Sequence, residues 1–292
     1  MSRVPSHVLR TAVALDDVRL LYVPVPKAGC TALLWALAEL AGLSERDFAR
    51  SRKLEVTRSL AVHDLFVWGP SLTLEERGSE ELEWILHSPD WLRFTVVREP
   101  LRRLWSAWVS KLLVREPRFV AMFGDEEWFP TPPSSSEDVL RSFRRFVSAL
   151  SEQDPAWHDP HWSPQVDLLG TTELAYGHVG RLERVAETLD VLGERVREHG
   201  RELPSLPSEN RSLLPYVPGV FDHAAHVAGV RFTARDREAF GYEDPQEDPD
   251  GPGEAWHAAV SASIPAIRGL IERHQRVGDL HVAVRPADGA PV

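Results

Sequence analysis

The stretch VRLLYVPVPKAGCTALLWALAELAG, residues 18–42, decides the fold. Its opening VRLLYVPV (18–25) is an apolar run that reads as a buried strand. Its end, TALLWALAELAG (31–42), reads as a helix closed by Gly42. Between them lies a tight turn, Pro26-Lys27-Ala28-Gly29-Cys30-Thr31. A strand-to-helix turn leaves backbone N–H groups unpaired at the helix start, and the helix dipole adds partial positive charge there, so the turn is a natural anion site. Gly29 lets the backbone approach a ligand closely. Lys27 adds a full positive charge and Thr31 a hydroxyl. An ordinary turn with a surface lysine is the competing reading of this stretch alone. The nucleotide P-loop, G-x-x-x-x-G-K-[ST], does not match, because here the lysine precedes the glycine and no second glycine lies five residues upstream.

A second segment, FTVVREPLRRLWSAWVSK (94–111), repeats the logic. LRFTVV (92–97) reads as a buried strand that delivers Arg98 at its carboxyl end. Pro100 suits the first turn of the following helix. In that helix Leu101, Leu104, Trp105, Trp108 and Leu112 fall on one face. Arg98 can make a forked contact to a phosphate, and Ser106 can add a hydroxyl. Residues 93–118 carry seven basic and two acidic side chains, a local basic patch. The competing reading is a solvated helix face with a structural arginine.

The rest of the chain alternates in the same way. LTLEERGSEELEWIL (72–86), SSEDVLRSFRRFVSALSE (135–152), RLERVAETLDVLGERVREHG (181–200) and FTARDREAFGY (232–242) read as helical, with Ser135 or Ser136 as a cap. YGHVG (176–180) reads as a short strand. Strands alternating with helices predict an α/β domain with a central, mainly parallel sheet flanked by helices. The domain is expected over residues 1–242. EDPQEDPDGPGE (243–254) reads as an acidic, Pro- and Gly-rich disordered linker. A C-terminal helical extension, 255–292, follows, with a kink or break at Pro265.

Composition bounds the function. The chain has 292 residues, and 33 Lys and Arg against 44 Asp and Glu give a net charge of −11. That balance argues against a nucleic-acid binder, so an anionic ligand must be held by a local basic site. The single cysteine, Cys30, rules out an internal disulfide and any cysteine-built metal cluster. No run approaches the roughly 18 apolar residues of a membrane span. The expectation is a cytoplasmic protein without a membrane span and without a metal.

Taken together, the two motifs resemble the sulfotransferases that use 3′-phosphoadenosine 5′-phosphosulfate (PAPS). That family carries P-K-x-G-x-T and R-[DE]-P-x-x-R-x-x-S segments. Here they read Pro26-Lys27-Ala28-Gly29-Cys30-Thr31 and Arg98-Glu99-Pro100-Leu101-Arg102-Arg103-Leu104-Trp105-Ser106. The wording is closest to the Golgi-type carbohydrate sulfotransferases. SFRRFVSAL, DPHWSPQVDLL, YGHVGRLERVAETL, LPSENRS and DREAFGY have counterparts in the same order, so the resemblance spans about residues 18–242. It implies a P-loop-like three-layer sandwich and transfer of the PAPS sulfuryl group to a hydroxyl of a carbohydrate or hydroxylated small molecule. Adenosine 3′,5′-bisphosphate is the product, and no metal is required. It also implies that Lys27 and the 28–31 backbone steady the leaving oxygen, while Arg98 and Ser106 hold the 3′-phosphate. The relatives' membrane anchor and disulfide-permissive domain have no counterpart in this sequence, so their glycan acceptors do not transfer.

A hydroxyl acceptor calls for a general base, and histidine suits neutral pH. His63, in TRSLAVHDLF, is the first candidate, because relatives often carry a histidine between the two motifs. His161, in HDPHWSPQ, is the second; His158 and Glu183 are weaker ones. Trp68, Trp128, Phe129, Trp157 and Trp162 could stack on a sugar, or simply anchor core and loops. Cys30, at a helix start where its thiol could be acidified, reads as a packing residue. The alternatives are a nucleotide-dependent kinase on a related sheet and a degenerate homologue that only binds nucleotide. The C-terminal extension could pack on the domain or on a second subunit, making a homodimer possible.

Overall fold

A computed structural model describes residues 4–51, 57–152, 159–207 and 212–284, with side chains through residue 279. In chain order the principal elements begin with α1 (Ser6–Thr11), β1 (Val13–Leu15), β2 (Leu20–Tyr22), α2 (Cys30–Leu40) and α3 (Ser79–His87). They continue with β3 (Leu92–Val97), α4 (Pro100–Ala107), α5 (Ser136–Leu150), α6 (Gln165–Leu169) and β4 (His178–Arg181). The last are α7 (Val185–Glu198), α8 (His223–Phe232), α9 (Ala234–Phe240) and α10 (Glu254–Val284). Internal contacts divide the chain into two compact units. The first comprises Met1–Arg103, His158–Arg211 and Arg235–Tyr242; the second comprises Leu104–Trp157, Ser212–Ala234 and Glu243–Val292. The chain passes from the first unit to the second between Tyr242 and Glu243, and the second unit also takes in Leu104–Trp157 and Ser212–Ala234.

The first unit holds a four-stranded sheet in the order β1-β2-β3-β4. β2, β3 and β4 run parallel, with Tyr22 opposite Phe94 and Val97 opposite Arg181. β1 is antiparallel to β2. It returns through a turn at Asp16–Arg19, where Arg19 has φ 49° and donates its N–H to the Asp16 carbonyl at 3.3 Å. Three residues are too few to establish a period, and β1 was not expected from the sequence.

Strand alternation divides the core into two layers. Val13, Leu15, Leu20, Tyr22, Phe94 and Val96 face α2 and α7, meeting Leu33, Leu37, Leu192 and Val196. Ala14, Leu21, Val23 and Val97 face the other way, onto Val8 of α1, Ile85 of α3, and Leu168 and Leu169 of α6. Helices thus cover both faces, as a parallel sheet requires. Each fully buried Leu or Val contributes about 2 kcal/mol through lost apolar surface. The expected α/β architecture, a mainly parallel sheet between two helical layers, is the one observed. The helix foreseen over 72–86 is confined to Ser79–His87.

In the second unit, Trp105 stands against Trp108 at 5.6 Å, Phe143 at 4.8 Å and Trp256 at 6.2 Å between ring centroids. A π-helical turn, Trp108–Leu113, continues α4. Ser135 and Asp138 form a reciprocal cap on α5. α10 buries Trp256, Val260, Ile264, Ile267 and Ile271, a stripe at helical spacing. The helix runs through Pro265 without a break. The proline removes a single backbone hydrogen bond, and the apolar stripe is buried on both sides of it.

The segment expected to be a disordered linker makes two contacts within this unit. Gly251 lies so close to Gly219 that a Cβ on the latter would stand 2.4 Å from the Gly251 carbonyl carbon. Glu247 pairs with His223 at 3.1 Å. Its glycines therefore permit close backbone contact, where composition alone suggested slack.

Candidate functional site

The carboxyl ends of β2, β3 and β4 carry loops that meet one another, the usual place for a ligand in an open parallel sheet. After β2 the chain stays buried through Val25 and then turns at Pro26–Gly29. Lys27 has φ 70° and Gly29 φ 79°. A left-handed lysine is uncommon and costs about 1–2 kcal/mol, so the fold holds this side chain in place against local preference. At Gly29 any side chain would be strained, and a Cβ would stand 2.8 Å from Leu182 Cδ1, just after β4. α2 begins at Cys30, and its first turn presents amide groups that the helix itself does not pair. Ala28, Cys30 and Thr31 are buried, whereas Pro26, Lys27 and Gly29 are partly exposed. Burial pushes the Cys30 thiol up, overriding the acidifying effect of Lys27 and the nearby backbone. Cys30 is thus the packing residue its sequence context suggested.

Thr31 and His63, 32 residues apart in sequence, are brought together: Thr31 Oγ1 lies 3.1 Å from His63 Nε2. His63 sits between a short helix, Arg58–Ala61, and another, Leu65–Trp68, that Asp64 caps by accepting from the Phe66 N–H. Arg98, the first residue beyond β3, donates from Nη1 to the Lys27 carbonyl at 3.1 Å. The two motifs therefore touch directly. Ser106 lies further along α4, partly buried, at a position belonging to the second unit.

Arg103 ties the site together, though its sequence context assigned it no role. Its side chain is 2% exposed. Nε donates to the Pro26 carbonyl at 2.9 Å, Nη1 to the Ser163 carbonyl at 2.8 Å and Nη2 to the Pro160 carbonyl at 2.8 Å. Burial pushes its guanidinium down to about 10, so it stays cationic at neutral pH. The signal for it was the second arginine of R-[DE]-P-x-x-R, present in the motif but without a partner until the fold supplied three carbonyls. Replacement by Met would leave those carbonyls without their donors, at about 1–3 kcal/mol each, partly offset by removing a buried charge. We expect a loss of about 3 kcal/mol and a melting temperature about 10 °C lower. Lys at this position should not restore it, because one ammonium cannot span three separate carbonyls. Thermal denaturation checks both outcomes.

Through Arg103, the 160–163 loop stands beside Pro26. His161 is on that loop, its ring 23% exposed and its Nδ1 2.5 Å from the buried Asp159 Oδ1. The same oxygen accepts the His161 backbone N–H at 3.0 Å. The carboxylate fixes the orientation of the ring, the arrangement of an oriented acid–base histidine. Glu183 is engaged otherwise: its carboxylate accepts the Glu99 N–H at 2.9 Å and the Tyr242 hydroxyl at 3.2 Å. His158 and Trp157 lie outside the described residues.

The aromatic residues suggested as sugar platforms are largely interior. Trp68 is 2% exposed, Trp162 1% and Phe129 6%. A cavity of about 530 Å³ runs along β4, lined by Val97, His178, Arg181, Arg184 and Phe240 among others, but not by Lys27 or Arg98. No group of three or more metal-ligating side chains is found among the described residues. No helix among them is long and apolar enough to cross a membrane.

A family model described as the sulfotransferase family matches residues 10–212. Human carbohydrate sulfotransferase 14 is 28% identical over 192 residues, which is 65% of this chain and 47% of that protein. Human carbohydrate sulfotransferase 8 is 28% identical over 190 residues, 63% of this chain and 42% of its own length. Human carbohydrate sulfotransferase 10 is 26% identical over 267 residues, 83% of this chain and 69% of its own. The chain spans about half the length of the first two. No solved structure matches.

Proposed function

Because the chain belongs to the sulfotransferase family, we propose that it transfers the sulfuryl group of PAPS to a hydroxyl of a carbohydrate or hydroxylated small molecule. The observation that carries this reading is the direct contact between the two anion-binding motifs, Arg98 Nη1 on the Lys27 carbonyl. It supports a single ligand with two anionic groups, one per motif. The lysine-before-glycine order speaks against a kinase.

PAPS, when bound, supplies an activated sulfuryl group. The chain's own part is positioning and charge stabilisation, as in phosphoryl transfer. Lys27, with the amides of the first turn of α2, faces the charge that develops on the departing bridging oxygen. Arg98 offers a planar fork to the 3′-phosphate. His63 takes the acceptor's proton at Nε2, the nitrogen beside Thr31. No metal ligand set enters the scheme.

The histidine pair gives a direct test. His63→Ala should lower kcat about 10²- to 10⁴-fold and abolish the acid limb of the pH–rate profile, while leaving the affinity for adenosine 3′,5′-bisphosphate unchanged. Unchanged turnover would remove His63 as the base. A second reading rests on the Asp159–His161 pair. If His161→Ala shows that loss and His63→Ala does not, the proton goes to His161. Transfer of radiolabel from PAPS to a panel of saccharides and phenols, read by chromatography, tests the function. Label transferred only from γ-labelled ATP would favour the kinase.

A further inference from the structure

The sheet hydrogen bonding of β3 ends at Val97, opposite Arg181. The next peptide, that of Arg98, is nevertheless paired on both sides, by a side chain. Gln165 Oε1 accepts the Arg98 N–H at 3.0 Å, and Gln165 Nε2 donates to the Arg98 carbonyl at 2.9 Å. The amide thus continues the strand by one residue, as a neighbouring backbone would. Its orientation is fixed from behind. Nε2 also donates to Asp236 Oδ2 at 3.2 Å, and Asp236 Oδ1 accepts the Val166 N–H at 3.0 Å. A flipped amide would set Oε1 against both the carboxylate and the Arg98 carbonyl, so only one orientation pairs every group. Gln165 is fully buried and Asp236 is 1% exposed. All three residues belong to the first unit.

The Arg98 guanidinium is held separately, on the Lys27 carbonyl. Backbone and head group are therefore anchored from opposite ends of the same side chain. A fork that must meet a phosphate gains from such anchoring, since less freedom is lost on binding.

We propose that Gln165, oriented by Asp236, is a positioning residue for Arg98 and so sets the enzyme's preference for nucleotides that carry a 3′-phosphate. The inference rests on the reading of Arg98 as the 3′-phosphate ligand. Neither Gln165 nor Asp236 touches the nucleotide itself.

The test compares adenosine 3′,5′-bisphosphate with adenosine 5′-monophosphate by calorimetric titration of the full chain. The wild type should bind the bisphosphate more tightly, and Arg98→Ala should abolish that preference. Gln165→Leu should shrink the preference about tenfold or more while leaving 5′-monophosphate affinity within about threefold. In transfer assays it should raise KM for PAPS more than it lowers kcat. The double variant should lose no more preference than Arg98→Ala alone, since both act on one contact. Asp236→Asn, which keeps an acceptor for one of its two partners, should give an intermediate loss and carries the test if Gln165→Leu does not fold. A merely structural role would lower the melting temperature and leave the ratio of the two affinities unchanged, which would overturn the inference. If Arg98→Ala itself leaves the ratio unchanged, the underlying reading of the site fails instead.

Discussion

Lys27→Ala should abolish measurable sulfuryl transfer, lowering kcat about 10²- to 10³-fold or more, in a protein that remains folded. The magnitude follows from removing a preorganised donor from developing charge, and here the donor also carries a full charge. Folding survives because the side chain is partly exposed and the turn is held by other groups. Arg98 grips the Lys27 carbonyl and Arg103 the Pro26 carbonyl, both backbone atoms that the substitution leaves in place. The positive φ of 70° at this position adds an internal control. Alanine keeps the backbone strain, whereas Lys27→Gly relieves it. The glycine variant should melt at or above the alanine variant, yet be equally inactive. Circular dichroism and a PAPS transfer assay separate the two effects. Full activity in either variant would remove Lys27 from the chemistry.

Arg98→Ala should act on binding first. Loss of a charge-assisted fork costs about 2–3 kcal/mol, so affinity for adenosine 3′,5′-bisphosphate should fall about 30- to 150-fold. KM for PAPS should rise in parallel. Arg98→Lys should recover only part of the loss, because an ammonium cannot reproduce the planar fork. Titration with the bisphosphate measures the effect directly. An unchanged dissociation constant would mean that the 3′-phosphate is held elsewhere.

Much of this site was legible before any fold was known, because its residues are local in sequence. Strand, turn and helix over 18–42 form one contiguous unit, and Lys27, Gly29 and Thr31 needed only their order to be read. Arg98 was equally legible at the end of LRFTVV. The residues that were not legible act across sequence distance. Arg103 reads as one of two adjacent arginines on an amphipathic helix, and only the fold shows Arg102 exposed and Arg103 buried among three carbonyls. Gln165 lies 67 residues from Arg98 and Asp236 another 71 from Gln165; a side-chain amide standing in for a strand edge leaves no periodic trace. The contacts of the 243–254 segment were equally hidden. Its composition is that of a solvated spacer, but Gly251 is used for close contact with Gly219. Trp68 and Trp162 likewise could be read as sugar platforms only until their burial was known.

The central claim is that one loop per anionic group holds a 3′-phosphorylated adenosine nucleotide. Competitive titration of the wild-type chain with adenosine 3′,5′-bisphosphate and with ATP tests it most directly. The account predicts that the bisphosphate binds at least tenfold more tightly than ATP and that magnesium does not change its affinity. Tighter, magnesium-dependent binding of ATP, with no preference for the 3′-phosphate, would contradict it.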